Sequence, residues 1–234
     1  MKNVTKQVLL FGAALLLAAC GNDRTVTDEA ETTMETDTAR ETTMVDTAAT
    51  AQMGGMMGHM HQHMRDMKEM RPRMTGDPDY DFALMMTRHH QGAIRMAEEE
   101  IANGTNAKMK EMAQRTIRTN KEDIQKLQNF TQTHKPTTGD TATTMRMMQP
   151  MRKMMSGMGQ GRTGMGMDME MDTSNVDQNF ASMMIRHHQM GNEMSREYMK
   201  LGKAQQMKQV AQNTINQNEK EIKELQAWQK QNPQ

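Results

Sequence analysis

Asp81–Ala97 reads DFALMMTRHHQGAIRMA, and Asn179–Ser195 reads NFASMMIRHHQMGNEMS, 98 residues later and without a gap. Phe, Ala, Met-Met, Arg-His-His-Gln and a later Met recur in place. The register persists beyond them: Gly104 falls on Gly202, Met109 on Met207, Ala113 on Ala211 and Ile117 on Ile215. Ile124, Leu127 and Phe130 fall on Ile222, Leu225 and Trp228. A unit of about fifty residues written twice is an architectural statement before it is a chemical one. Wound as a helix at roughly 100° per residue, the first copy gathers Phe82, Met86, Ala93 and Ala97 on one apolar face. His89 falls about 60° to one side of Met86 and His90 about 40° to the other. Neither histidine is on the solvent face. The second copy repeats this with Phe180, Met183, Met184, His187, His188 and Met194.

A lone histidine in such a place is usually a core-edge residue bonded to a carbonyl. Adjacent pairs, duplicated, each with Met at i−3 or i−4 and at i+7, point instead to metal ligation. The donors of the first copy are Met85, Met86, His89, His90 and Met96; those of the second are Met183, Met184, His187, His188 and Met194.

Outward from the repeat, the N-terminus has the pattern of an export signal. Lys2 and Lys6 precede a short apolar run, and Leu17-Ala18-Ala19-Cys20 resembles a lipobox, which implies cleavage before Cys20 and lipid on its sulfur. Twelve apolar residues from Val8 to Ala19 are too few to span a bilayer permanently. Residues 1–19 are thus expected to be a lipoprotein signal peptide. Residues 20–52, rich in Thr, Glu, Asp and Ala, are expected to be a disordered tether, having too little apolar surface to offset ordering entropy. The expected location is the bacterial cell envelope, lipid-anchored on the periplasmic or cell-surface side.

Residues 53–74 are dense in Met and His. Met56, Met57, Met60 and Met64 interleave with His59, His61 and His63, a second candidate ligand cluster against the alternative of a disordered polar arm. A helix fits 56–70, ended by Pro72 and Gly76. Asp77-Pro78 should cap and open the first HHQ helix, 78–102, with Asn103-Gly104 as left-handed terminators. A second helix follows to about 133. Its stripe of Met109, Met112, Ala113, Ile117, Ile124, Leu127 and Phe130 reads as core. Residues 53–135 make the first repeat, 136–143 a linker and 144–231 the second repeat. The latter should hold a short Met-rich helix at 144–156, a Gly/Met loop to 171, an HHQ helix opened by a Ser174–Asp177 capping box, and a closing helix.

Thirty-three methionines, eight histidines and a single cysteine set the chemistry. Thioether sulfur is soft and imidazole borderline, a donor set that favours Cu(I) and by the same logic Ag(I), with Cu(II) also accommodated. Thioethers need no deprotonation and resist the disulfide chemistry of an oxidising compartment. Met-x-x-His occurs at Met56–His59, Met60–His63, Met86–His89 and Met184–His187, and Met-x-x-x-His at Met57–His61 and through both HHQ stretches. Either spacing places two donors on one helix face. Net charge 0 at pI ≈ 7.1 gives no footprint for nucleic acid. No His has Asp or Glu three residues before it, as a di-iron oxidase would need, and no H-E-x-x-H is present. The expectation is a binding module without turnover. A Met-rich structural or oxidant-scavenging protein with core histidines is the alternative reading.

Met86-x-x-His89-His90-Gln91-x-Ala93-x-x-Met96-Ala97 resembles the HHQ motif of a bacterial family catalogued as a domain of unknown function, ferritin-like in fold, that includes CopM-like periplasmic copper-binding proteins. The likeness covers roughly 77–231 and extends to Ile215, Glu221-Ile222 and Trp228. The chain departs from it at Gly191 and Ser195, and at Asp123 and Phe130, where the family tends to Glu and Trp. The resemblance implies copper buffering or resistance, with a copper-exporting or copper-receiving envelope protein as partner. The expected fold is all-α: a ferritin-like antiparallel four-helix bundle made of two helical hairpins, with extra short Met-rich helices. The HHQ helices should hold the better-defined sites, and the 53–64 arm and 165–171 loop looser ones, because a Gly-flanked Met loses more chain entropy on ligation.

Overall fold

The computed structural model describes residues 55–150, 152 and 175–233. The signal segment, Cys20, the tether, Met53 and the Gly/Met loop lie outside the described residues. Within them all regular structure is helical: α1 Gly55–Glu69, α2 Pro78–Asn103, α3 Ala107–Thr133, α4 Thr141–Thr144, α5 Val176–Leu201 and α6 Gln205–Gln231. Short 3₁₀ turns occupy Arg71–Arg73 and Met145–Met148, so the Met-rich stretch after residue 144 begins as a 3₁₀ turn rather than an α-helix. No helix among the described residues is long and apolar enough to cross a membrane.

Local chemistry sets the helix starts. The Asp77 carboxylate accepts from Asp79 N at 3.0 Å and Tyr80 N at 3.2 Å, with Pro78 in the first turn. Asn106 caps α3 and Asn175 caps α5 in the same way. The expected Ser174–Asp177 capping box does not form around Asp177, whose carboxylate is turned to the α2–α3 junction instead. Gly104 is not a left-handed terminator either; its φ of −66° and ψ of 159° are extended. It is glycine for space: a Cβ there would lie 2.2 Å from Glu100 Oε1, as one on Gly202 would lie 2.2 Å from the Tyr198 ring.

The hairpins α2–α3 and α5–α6 pack into one bundle with α2 antiparallel to α5, and α1 lies across both. A pseudo-two-fold relates the halves. Asp79, at the start of α2, accepts from Tyr198 Oη (2.7 Å), Lys203 N (2.8 Å) and Ala204 N (3.0 Å) at the end of α5. Its repeat mate Asp177 accepts from Thr105 N (3.1 Å), Thr105 Oγ1 (2.7 Å) and Asn106 N (2.9 Å) at the end of α2. Tyr198 also stacks on Phe82, with centroids 3.9 Å apart.

The core is two methionine-rich clusters with a polar slab between them. One holds Met67, Phe82, Met85, Met86, Leu127, Met190, Met194 and Met207 among others. The other holds Met56, Met60, Ala93, Met96, Met109, Phe180, Met183, Met184 and Trp228. All four long helices cross the slab at mid-length: α2 at His89 and His90, α5 at His187 and His188. α3 crosses at Thr116, Asn120 and Asp123, and α6 at Thr214, Asn218 and Glu221. Each fully buried Met contributes about 1.5–3 kcal/mol. The slab is a cost wherever its polar atoms lack partners.

Candidate metal centre

At the centre of the slab three imidazoles converge. His89 and His187 have ring centroids 3.8 Å apart, and His63 from α1 lies 4.8 Å from His187 and 5.3 Å from His89. One nitrogen from each ring falls within 4.8 Å of the others. Exposure is 0 % for His63, 1 % for His89 and 0 % for His187. His89 Nε2 lies 3.2 Å from the His187 carbonyl oxygen. A carbonyl only accepts, so this nitrogen carries the proton and the Nδ1 lone pair is left free.

Five ring nitrogens here have no hydrogen-bond partner among the described residues: Nδ1 and Nε2 of His63, Nδ1 of His89, and both nitrogens of His187. Burial, and then the neighbouring histidines, hold His89 and His187 well below the ordinary imidazole value. Burial, and then the Arg95 charge, lower His63 to about 4, against a weaker upward pull from Asp66. All three are therefore neutral at pH 7, with lone pairs available. Leaving buried nitrogens unpaired costs about 1–3 kcal/mol each, and a metal ion taking their lone pairs would offset that. The donor chemistry fits one.

Glycine makes the convergence possible. A Cβ on Gly92 would sit 2.5 Å from His63 Nδ1 and 2.8 Å from its Cγ, and one on Gly191 would sit 2.8 Å from His89 Cε1. Gly92→Ala should push His63 and α1 away, although Ala gains about 0.5–1 kcal/mol of helix propensity. The expected result is faster hydrogen exchange across 55–69 and an Ag(I) affinity lower by roughly tenfold, about the effect of mispositioning a ligand. Unchanged exchange and affinity would show that α1 is not seated by this contact.

The other ligand candidates lie around this centre. His90 and His188 point to the opposite flank, toward α3 and α6. His188 Nε2 meets Glu221 Oε2 at 2.8 Å, and His90 lines a small cavity beside Asp123. His59, half-buried, lies 3.4 Å from Glu99, and half-buried His61 has an unpartnered Nδ1. Met85, Met86 and Met194 belong to one apolar cluster. Met56, Met60, Met64, Met96, Met183 and Met184 belong to the other, with Met57 packed against it. Sequence spacing separated His63 from the HHQ helices, whereas the fold inserts it between their two lead histidines. The buried Thr-Asn-carboxylate rungs of α3 and α6 were missed too. Their signal was present, since Thr116, Asn120 and Asp123 match Thr214, Asn218 and Glu221 at the same 98-residue offset.

The model of one protein family, the Domain of unknown function (DUF305), matches residues 24–131 and again 129–229. The chain belongs to this family. Its two matches correspond to the two HHQ repeats. No curated protein sequence matches the chain. Among solved structures it is similar to CopM in the Ag-bound form by co-crystallization, at 24 % identity and TM-score 0.49, covering 67 % of this chain and 98 % of that one. It is similar to CopM in the Cu(I)-bound form at 25 % identity and TM-score 0.46, covering 65 % and 96 %. CopM in the apo form aligns at 24 % identity and TM-score 0.48, covering 67 % and 98 %.

Proposed function

We propose that this protein sequesters a soft monovalent metal ion, Cu(I) and equally Ag(I), at His63, His89 and His187, contributing to copper homeostasis in the bacterial envelope. The observation that carries this reading is the convergence of three neutral, buried imidazoles whose lone pairs have no other partner among the described residues. Charge favours the monovalent ion. Among the described residues no carboxylate belongs to the three-histidine group, and the Born cost of a buried ion grows with the square of its charge, about fourfold from +1 to +2. The thioethers above and below the slab place soft donors on either side of the histidines. The lipobox-like Leu17-Ala18-Ala19-Cys20 supports a lipid-anchored protein outside the cytoplasm, and a copper-exporting or copper-receiving envelope protein is the partner we propose. The proposed role is binding rather than turnover, and Cu(I) or Fe(II) oxidase activity that is abolished by replacing His89 or His187 would overturn it.

An oxidant sink needs accessible sulfur, and eighteen methionines among the described residues are buried, which favours the metal reading. The test is anaerobic titration of the lipid-free protein with Cu(I), Ag(I), Cu(II) and Zn(II). One tight monovalent ion with histidine nitrogen in its coordination shell is expected. Absence of any tight Cu(I) or Ag(I) site would end the proposal.

A further inference from the structure

On the far flank of the slab, between α3 and α6, a cavity of about 10 Å³ is lined entirely by polar residues. It has room for one water or one small ion. The pseudo-two-fold explains why it exists. In the second repeat His188 Nε2 meets Glu221 Oε2 at 2.8 Å, and Thr116 Oγ1 donates to the same oxygen at 3.2 Å. The matching set in the first repeat is His90, Asp123 and Thr214, with the carboxylate one methylene shorter. There the contacts are not made: His90 Nε2 and Thr214 Oγ1 are both buried without a partner among the described residues, and both residues line the cavity. Asp123 Oδ1 accepts from Lys126 at 2.7 Å, and Asn120 gives its amide N–H to Thr116 O, which leaves its Oδ1 as a further acceptor.

We propose that this cavity is a second metal site, built for a borderline divalent ion such as Cu(II) or Zn(II), with His90 Nε2 and an Asp123 carboxylate oxygen as its protein ligands. Thr214 and Asn120 also line the cavity. The donor set is nitrogen and anionic oxygen, in contrast to the neutral imidazoles of the central triad. The carboxylate supplies the charge compensation that a buried dication needs. Adjacent histidines of one motif thus serve different ions: His89 faces the soft centre and His90 the harder one.

Asp123→Glu tests this directly, because it rebuilds in the first repeat the His–carboxylate contact already present in the second. The full lipid-free chain and this variant are titrated with Zn(II), and separately with Cu(II) under electron paramagnetic resonance. The wild type should bind one divalent ion through a single imidazole nitrogen, and Asp123→Glu should lose it, with affinity falling at least tenfold. His90→Gln, checked for folding by its melting curve, should lose the same ion. His63→Ala should keep it while losing Ag(I), so the two sites fail independently. If the wild type binds no such ion, or Asp123→Glu binds it unchanged, the cavity holds a water only and the proposal is overturned.

Discussion

Replacing His63 with leucine is expected to stabilise the metal-free protein and, in the same variant, to abolish the stabilisation conferred by Cu(I) or Ag(I). The two signs follow from one cause. Both nitrogens of His63 are buried at 0 % exposure with no partner among the described residues, and each unsatisfied group costs about 1–3 kcal/mol, which a leucine of similar volume does not. The metal-free variant should therefore melt several degrees higher. The ion offsets the part of that cost carried by the ligating nitrogen in the wild type, where ligand at a thousand times Kd adds about 4 kcal/mol. Losing one of three imidazoles should weaken the site on the order of 100-fold or more, since even supporting residues of metal sites are worth 10–100-fold. His187→Leu should behave alike. Calorimetric melts with and without one equivalent of Ag(I) read both effects. A variant that melts lower without metal, yet gains as much from Ag(I) as the wild type, would return these histidines to ordinary core residues.

Glu100 predicts a pH dependence at the end of the bundle, away from the histidines. It is fully buried, and as a carboxylate neither of its oxygens has a partner among the described residues. Burial first, then its hydrogen bond to Asp177 and the charge there, push its carboxyl up to about 9; Lys110 opposes this and Glu99 adds to it. Protonated Glu100 can donate to Asp177, doing for the first repeat what the Tyr198 hydroxyl does for Asp79 in the second. Burial acts to raise Asp177 as well, but the Asn106 N–H, Glu100 and Thr105 outweigh it and hold that carboxyl below its ordinary value. The sign follows from proton counting. Between about 4.5 and 9 the unfolded chain has released the Glu100 proton and the folded chain keeps it, so stability falls as pH rises. The contribution is complete below pH 4.5 and gone above 9, a total on the order of a few kcal/mol at up to about 1.4 kcal/mol per unit. Glu100→Gln keeps a neutral donor and removes the titration. Denaturant midpoints of the two proteins should be close at pH 5 and diverge by pH 9, with the variant the more stable. Parallel pH curves would mean that Glu100 is ionised in the fold.

What the sequence by itself determined is what periodicity and local bonding determine. The duplicated HHQ stretch settled two helical hairpins, because Phe82, Met86 and Ala93 and their repeat mates share a helix face. Asp77-Pro78 set the start of α2, because an N-cap acts within its own turn. The same periodicity put all four HHQ histidines inside the bundle. It could not say which of them meet. His89 and His90 are about 100° apart on their helix, and only the antiparallel crossing of α2 on α5 turns His89 onto His187 and His90 toward α3. His63 lies 26 residues before His89, on a segment with a helical pattern of its own. Its insertion depends on α1 crossing over Gly92, where the missing Cβ leaves room for the ring. Gly104 shows the same limit from the other side. Its place after a helix suggested a left-handed cap, but the backbone there is extended and the glycine is required by the Glu100 side chain folding over it. Helix propensity and capping are decided within about four residues of chain; ligand convergence is decided by packing between segments up to 124 residues apart, His63 to His187.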